Sequence, residues 1–426
     1  MKKMSRRQAL GCGAAIALPY AIPSLLRGQA RTAPSERITM GAIGLGGQGM
    51  HNLKSFLTFD DVRVLAVCDV DRNHLQNAKQ TVDAAYGNRD CVAYSDFREV
   101  LARGDLDTVL IATPDHWHSI LAIEAAKAGK DIYCEKPISL TVAEGRAVVE
   151  TMKRYGTVYQ SGTQRRSIAC FRFGVDIARS GMLGKLQTLR CYYHNGPTCP
   201  PQPVQPVPDG FDYDMWLGPA PFEPYTLRRC HGSFRWIYDY SGGQLTDLGA
   251  HFADLAQWAH GSDDAGPTHY EGRAEFPKDG LFNTPIRFEV TATYPDGVKM
   301  VIHDETEPGR GPRGNKYVGT DGWVSVDDTG KVTASGPAIL RKLSASQQGY
   351  EYMEGHHRDF LNCVRTRART IAAPETAHRS TTICHVTNVC LRLGRTLQWD
   401  PSAERFVNDP EADRMLARAA RSPWRL

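Results

Sequence analysis

From Arg37 to about Tyr155, short apolar runs alternate with stretches in which apolar residues recur at helical spacing. Ile38 to Ile43, Val62 to Cys68, Thr108 to Ala112 and Ile132 to Cys134 read as strands, and Ser119 to Ala128 as one of the helices between them. Strand and helix in alternation predict an α/β unit, a parallel sheet doubly wound by helices. Beyond Val158 to Ser161 the runs lengthen and alternate, as in Leu186 to His194, Phe288 to Tyr294 and Lys299 to His303. That periodicity predicts a large, mostly antiparallel sheet with one covered face. Residues 36–157 and 158–426 are therefore expected as two units, the second an α/β domain with C-terminal helices. A chain of 426 residues with 41% hydrophobic composition can give each a sizeable core. A proline-rich loop, Pro197 to Pro208, leads into an aromatic stretch with Phe211, Tyr213, Trp216, Phe234, Trp236, Tyr238 and Tyr240. Aromatic faces stack on sugar rings, yet they also fill cores and pin loops. Trp236 and Tyr238 are the candidates for the pocket.

The first 30 residues carry a different signal. Ser5-Arg6-Arg7-Gln8-Ala9-Leu10 matches a twin-arginine export motif, with Ala9 where Phe is commonest. A weakly apolar stretch to Leu26 and small residues around Gly28-Gln29-Ala30 complete a signal peptide at 1–30. It implies the Tat export machinery as a partner and a periplasmic or otherwise exported protein. The uncharged run from Gln8 to Leu26 is nearly long enough to span a bilayer, so an uncleaved membrane anchor stays open, although Pro19 and Pro23 interrupt it. This segment holds Lys2, Lys3, Arg6, Arg7 and Arg27 and no acid, so the net charge of +4 becomes −1 without it. Nothing in that balance points to nucleic acid. Ten cysteines follow Cys12 without CxxC spacing. Cys68 and Cys134 lie in apolar runs that suit buried thiols, while Cys191, Cys199 and Cys230 lie where pairing after export stays open.

At the end of the first strand, Gly44-Leu45-Gly46-Gly47-Gln48-Gly49 has the spacing that brings backbone N–H groups and a helix N-terminus to a pyrophosphate. Asp69 ends the next strand about 20 residues further on, where a carboxylate accepts hydrogen bonds from the adenosine ribose. The unit is thus expected to be a Rossmann domain. Asp69 and Asp71 together repel a 2′-phosphate and favour NAD, whereas Arg72 keeps NADP open. Asp71 and Arg72 also suit a solvated helix start. Two further loops leave carboxyl ends of strands, Thr113-Pro114-Asp115-His116-Trp117-His118 and Glu135-Lys136-Pro137. Lys136 either reaches a nicotinamide ribose and a substrate hydroxyl or is a surface lysine before a helix-starting proline. His116 and His118 lack a third ligand, so no metal is expected, and a helix cap or a nicotinamide contact suits them better. In the second unit, Asp247 and His251 are four apart in Gly242 to His251 and face one side of any continuous helix. A histidine oriented by a carboxylate can take a proton from a hydroxyl while hydride leaves the same carbon. Alternatively Asp247 caps the helix and His251 is a satisfied, half-buried residue.

Gly44 to Gly49, Asp69, Glu135-Lys136-Pro137 and Asp247-x-x-x-His251, in this order and spacing, resemble the Gfo/Idh/MocA oxidoreductase family over most of the chain after residue 30. The resemblance implies an N-terminal Rossmann domain that binds NAD(P) through Gly44, Gly46, Gly47, Gln48, Gly49, Asp69, Glu135 and Lys136. It implies a C-terminal α/β domain that encloses a sugar or cyclitol site and builds a homo-oligomer, a dimer or tetramer, on its open sheet. His251 becomes the acid/base, Asp247 its partner and Lys136 the residue that positions the reacting hydroxyl. Thr113, Pro114 and His118, with Gln164 and Arg165, look like positions lining the cofactor or substrate cleft. The activity implied is hydride transfer between a secondary alcohol and a tightly bound nicotinamide. Exported glycosidases of the family, which oxidise a sugar carbon transiently, supply the alternative. The match to the D-x-x-x-H pattern favours the dehydrogenase.

Overall fold

The computed structural model describes residues 36–304, 313–342 and 354–426. The expected export signal lies outside them. No helix among the described residues is long and apolar enough to cross a membrane.

β1 (Ile38–Ile43), β2 (Val62–Cys68), β3 (Val92–Tyr94), β4 (Thr108–Ile111), β5 (Asp131–Cys134) and β6 (Tyr159–Ser161) form one sheet in the order 3-2-1-4-5-6. All five pairings are parallel. Strand order reverses between β1 and β4, and a parallel sheet opens a ligand crevice outside the carboxyl ends at such a point. Ile38 to Ile43 and Val62 to Cys68 form strands over their expected lengths. The helix expected from Ser119 instead begins at Asp115, directly after Pro114. Asp115 in its first turn suits the positive end of the helix dipole. The sheet runs past residue 157, because β6 pairs with β5 through Ile132, Tyr133 and Cys134.

β7 (Leu186–Tyr192), β8 (His269–Glu275), β9 (Arg287–Thr293), β10 (Lys299–His303), β11 (Gly314–Gly319), β12 (Trp323–Asp327), β13 (Val332–Ala334), β14 (Leu397–Asp400) and β15 (Arg405–Phe406) build a nine-stranded sheet. Its order is 13-12-11-7-10-9-8-14-15, antiparallel except between β7 and β10. Along β9, Phe288, Val290 and Ala292 are buried while Arg287, Glu289, Thr291 and Thr293 are not, the alternation of a sheet covered on one face. Helices Ala169–Arg179, Gly249–His260 and Pro374–Leu393 supply much of the core against that face.

The two units are not separate along the chain. Phe360 and Leu361, from the helix Glu354–Thr366, are buried with Phe56 and Tyr133 in the core of the first. Arg146 of the first unit donates to Glu375 and Glu404 of the second. The ten cysteines among the described residues are buried and free, so Cys191, Cys199 and Cys230 are unpaired here.

Candidate active site

The glycine loop divides its labour. Gly44 has φ +80°, and a Cβ there would strike the backbone of Thr113. A Cβ at Gly49 would be driven into the Gly44 carbonyl oxygen, whereas one at Gly47 would meet nothing within 4 Å. Gly44 and Gly49 therefore let the loop pack tightly. Gly46 and Gly47 leave the N-terminus of the helix Gly47–Phe56 open to the cleft, a cradle that fits a pyrophosphate. Replacing Gly49 by Ala should cost roughly 1–3 kcal/mol of stability and strip the cofactor. Thermal unfolding and the ultraviolet spectrum of the purified variant test this; a variant with unchanged melting and a full complement of dinucleotide would contradict it.

Asp69 holds the loop. Its Oδ2 accepts from Leu45 N at 2.6 Å and its Oδ1 from Asp71 N at 2.8 Å. Asp71 caps the helix Arg72–Tyr86 by accepting from Asn73 N, and it also lines the cleft. Sequence reasoning missed two neighbours. His74 Nδ1 stands 3.7 Å from Asp69, and His231 Nε2 3.7 Å from Asp71. Asp71, His74 and His231 are the metal-type side chains that gather within 4.8 Å among the described residues. Asp69 raises the pKa of His74, while burial lowers that of His231. His231 arrives from a distant loop, which no local spacing announces.

At the other end, Glu135 is tied down by amides. Its Oε1 accepts from Gln48 at 3.2 Å and from Asn52 and Gln164 at 2.8 Å. A Cβ at Gly162 would stand 2.7 Å from its carboxyl group, so glycine is needed there as well. His118 bridges the carbonyls of Pro137 and Thr113 at 2.7 and 2.8 Å, fixing both candidate loops to each other. His116 meets the carbonyl of Trp216 instead. Thr113 and Pro114 line the same cleft, whose volume is about 620 Å³.

Lys136 crosses between the units. Its Nζ donates to Asp247 Oδ1 at 2.5 Å and to the Asp247 carbonyl at 3.0 Å, and its side chain is only 13% exposed. The surface-lysine alternative is thereby removed. Asp247 also accepts from Arg235 Nε at 3.1 Å. Burial raises the carboxyl pKa, but Lys136 and Arg235 together outweigh it and hold the group well below the usual carboxylate range.

His251 lines this cleft, but the expected Asp247–His251 pairing is absent. The helix is broken, running Gln244–Asp247 and resuming as Gly249–His260. Two cations compete for the carboxylate more strongly than a neutral imidazole can. His251 Nδ1 is buried with no hydrogen-bond partner among the described residues. Burial, followed by the like charges of Arg165, Lys136, His356 and Arg313, pushes its pKa well below 6.5. The imidazole is therefore a neutral proton acceptor. Gln164 and Arg165 line the cleft as expected, and Arg165 is held by Asp328.

Trp236 and Tyr238, expected in the pocket, do not line the cleft. Asn283 Oδ1 accepts from Tyr238 N, and Asn283 N donates to the Trp236 carbonyl, which pins this segment to the Asn283 loop. Tyr238 lies beneath the guanidinium groups of Arg392 and Arg418, and Trp236 packs against a small aromatic core. Phe211, Trp216, Phe234 and Arg235 take the cleft positions.

That aromatic core forms a strap over the first unit. Arg72 N donates to Gly210 O, and Asp212 N to Val70 O, both at 2.9 Å. Trp117 Nε1 donates to the carbonyls of Met215 and Trp216 at 3.1 Å. The C-terminal tail fastens the strap. Arg421 bonds Pro219, Gly218 and Asp214, and Trp424 packs edge-on against Trp117 at 4.7 Å and lies 6.2 Å from Phe97. Phe97 and Trp117 both line the cleft. Ending the chain at Ala417 should therefore speed cofactor loss on dialysis by at least about tenfold, the effect of about 1.4 kcal/mol. Equal retention by full-length and shortened protein would remove the strap from the account.

Two family models match the chain. Residues 38–163 match the oxidoreductase family's NAD-binding Rossmann fold of GFO/IDH/MocA proteins, and residues 192–426 match that family's C-terminal alpha/beta domain. The chain is 30% identical over 178 residues to the myo-inositol 2-dehydrogenase of Thermotoga maritima, 42% of this chain and 51% of that protein. It thus spans about half the length of that relative. It is 26% identical over 383 residues to a glycosyl hydrolase family 109 protein of Stenotrophomonas maltophilia, 83% of this chain and 81% of that one. The WlbA dehydrogenase from Bordetella pertussis, solved with NADH and UDP-GlcNAcA, shares the fold with a TM-score of 0.63 at 17% identity, over 85% of this chain and 99% of that one. The glycine loop belongs to an NAD(H)-binding domain.

Proposed function

This chain belongs to the Gfo/Idh/MocA oxidoreductase family, and we propose that it transfers hydride between a secondary alcohol of a sugar, sugar derivative or cyclitol and a tightly held nicotinamide. One observation carries the reading: Lys136 is anchored on Asp247 across the two units, in the cleft that His251 and the glycine loop share. When bound, NAD supplies the hydride acceptor at its nicotinamide ring. Two of the three N–H bonds of Lys136 are spent on Asp247, which leaves one for the substrate oxygen. Its charge stabilises the developing alkoxide, and neutral His251 takes the hydroxyl proton. Asp247 acts through Lys136 as a positioning residue. The strap and its C-terminal fastening support slow cofactor exchange.

We further propose that residues 1–30 direct Tat export of the folded, cofactor-loaded protein, and that the uncovered sheet face builds a dimer or tetramer. Where free NAD is scarce, turnover couples oxidation of one sugar to reduction of another or runs as a redox-neutral cycle. Purified protein incubated with free sugars should accumulate a keto-sugar and reduced nicotinamide; no oxidised sugar from a broad panel that includes inositols would count against the reading.

A second reading is favoured by the similarity to the family 109 glycosidase over four-fifths of both chains. Oxidation at C3 acidifies the neighbouring C–H, elimination expels the aglycone, water adds to the enone, and the returned hydride restores the alcohol. Release of the aglycone from aryl glycosides without net NADH would select it.

A further inference from the structure

The cations at the substrate end of the cleft share their carboxylate partners. On one wall, Lys136 and Arg235 share the single oxygen Asp247 Oδ1. On the other, Arg165 Nε and Nη2 reach Asp328 Oδ1 at 2.9 and 2.5 Å, while Arg313 Nε reaches Asp328 Oδ2 at 2.5 Å. Each carboxylate therefore serves two cations. Of the remaining acids, Glu135 Oε1 accepts from three side-chain amides, and Asp115 accepts from Ser241 while lying close enough to Arg235 and Lys136 to act on both electrostatically.

Arg165 is the cation with an edge left open to the cleft. It lines the cleft with its side chain 11% exposed, packed over the ring of Phe252 at 4.8 Å. Its Nη1 carries no hydrogen bond among the described residues, since Asp328 engages only Nε and Nη2. A buried guanidinium edge left open to a cavity is a fork for two oxygens.

We propose that the sugar or cyclitol taken by this site bears an anionic substituent, a carboxylate or a phosphate, received by Arg165. This rests on the hydride-transfer reading for the reacting carbon and adds the chemical class of the molecule. Asp328 and Arg313 hold the guanidinium in place, and Lys136 and Arg235 remain with Asp247 at the reacting end.

The test compares matched pairs, galactose with galacturonate and glucose with glucuronate, together with glucose 6-phosphate, on the cofactor-loaded protein and on R165Q. Calorimetry reads binding, and reduction of bound nicotinamide reads turnover. At least one anionic sugar should bind about tenfold or more tighter than its neutral counterpart, and in R165Q the ratio of the two affinities should fall to about one. Tighter binding of uronate or of phosphate identifies the substituent. Equal binding of neutral and anionic sugars, or a preference that survives in R165Q, overturns the proposal. Preferential binding of an anionic sugar without nicotinamide reduction keeps it and sinks the hydride-transfer reading; reduction by neutral sugars without any preference does the reverse.

Discussion

Replacing Lys136 by methionine is expected to lower kcat/KM for sugar oxidation by about a thousandfold while the purified protein keeps its cofactor. The magnitude is that of removing one preorganised charge from a position where an oxyanion develops, roughly 10²–10³, with loss of orientation added. Methionine retains the unbranched stem, so the packing between the units survives. Asp247 remains bonded to Arg235 and is not left as an unpaired buried charge. The fold should therefore persist, which circular dichroism and the released dinucleotide would verify. Arginine at 136 should not restore the rate, because its planar fork cannot point a single N–H at the substrate from the same place. A Lys136→Met enzyme within a few-fold of the parent would return the lysine to a purely structural role.

Removing the imidazole of His251 should have the second-largest effect. His251→Ala is expected to reduce kcat by about 10²–10⁴, the usual contribution of a positioned general base. The pH profile carries the sharper signature. Oxidation needs the imidazole unprotonated, so activity falls as pH drops through its pKa. Because burial and the neighbouring cations push that pKa well below 6.5, the plateau should extend through 6.5 and fail only in more acidic solution. In the alanine variant this acid limb should vanish along with the rate. A limb centred at 6.5 or above in the wild type would contradict the neutral, cation-surrounded imidazole.

The cofactor loop was legible because its glycines answer to backbone geometry alone: Gly44 and Gly49 each stand where a Cβ meets main chain. Asp69 was equally readable, being fixed to the end of β2 by the strand's own length. The reacting end was not legible in the same way. Spacing put Asp247 and His251 on one helix face, but it carries no information about the break at Leu248 or about Lys136 and Arg235, which take the carboxylate from elsewhere in the chain. The aromatic stretch posed a similar problem. Which of Phe234, Arg235, Trp236 and Tyr238 faces the cleft depends on a short 3-10 turn and on Asn283, neither of which leaves a periodic trace. His231 and Trp424 meet the first unit through long-range contacts that leave no local pattern in the sequence.

On the proposed reading these residues serve one event, the passage of hydride between a sugar carbon and the nicotinamide held by the first unit. Protein as purified, without added NAD, can be mixed with deuterium-labelled sugars, uronates and inositols, and the dinucleotide then released by denaturation. The structure predicts that at least one of these molecules raises the near-ultraviolet band of NADH and leaves its deuterium at nicotinamide C4, and that the Lys136→Met protein does neither. A full complement of bound NAD that acquires no deuterium from any sugar, uronate, inositol or glycoside would contradict it.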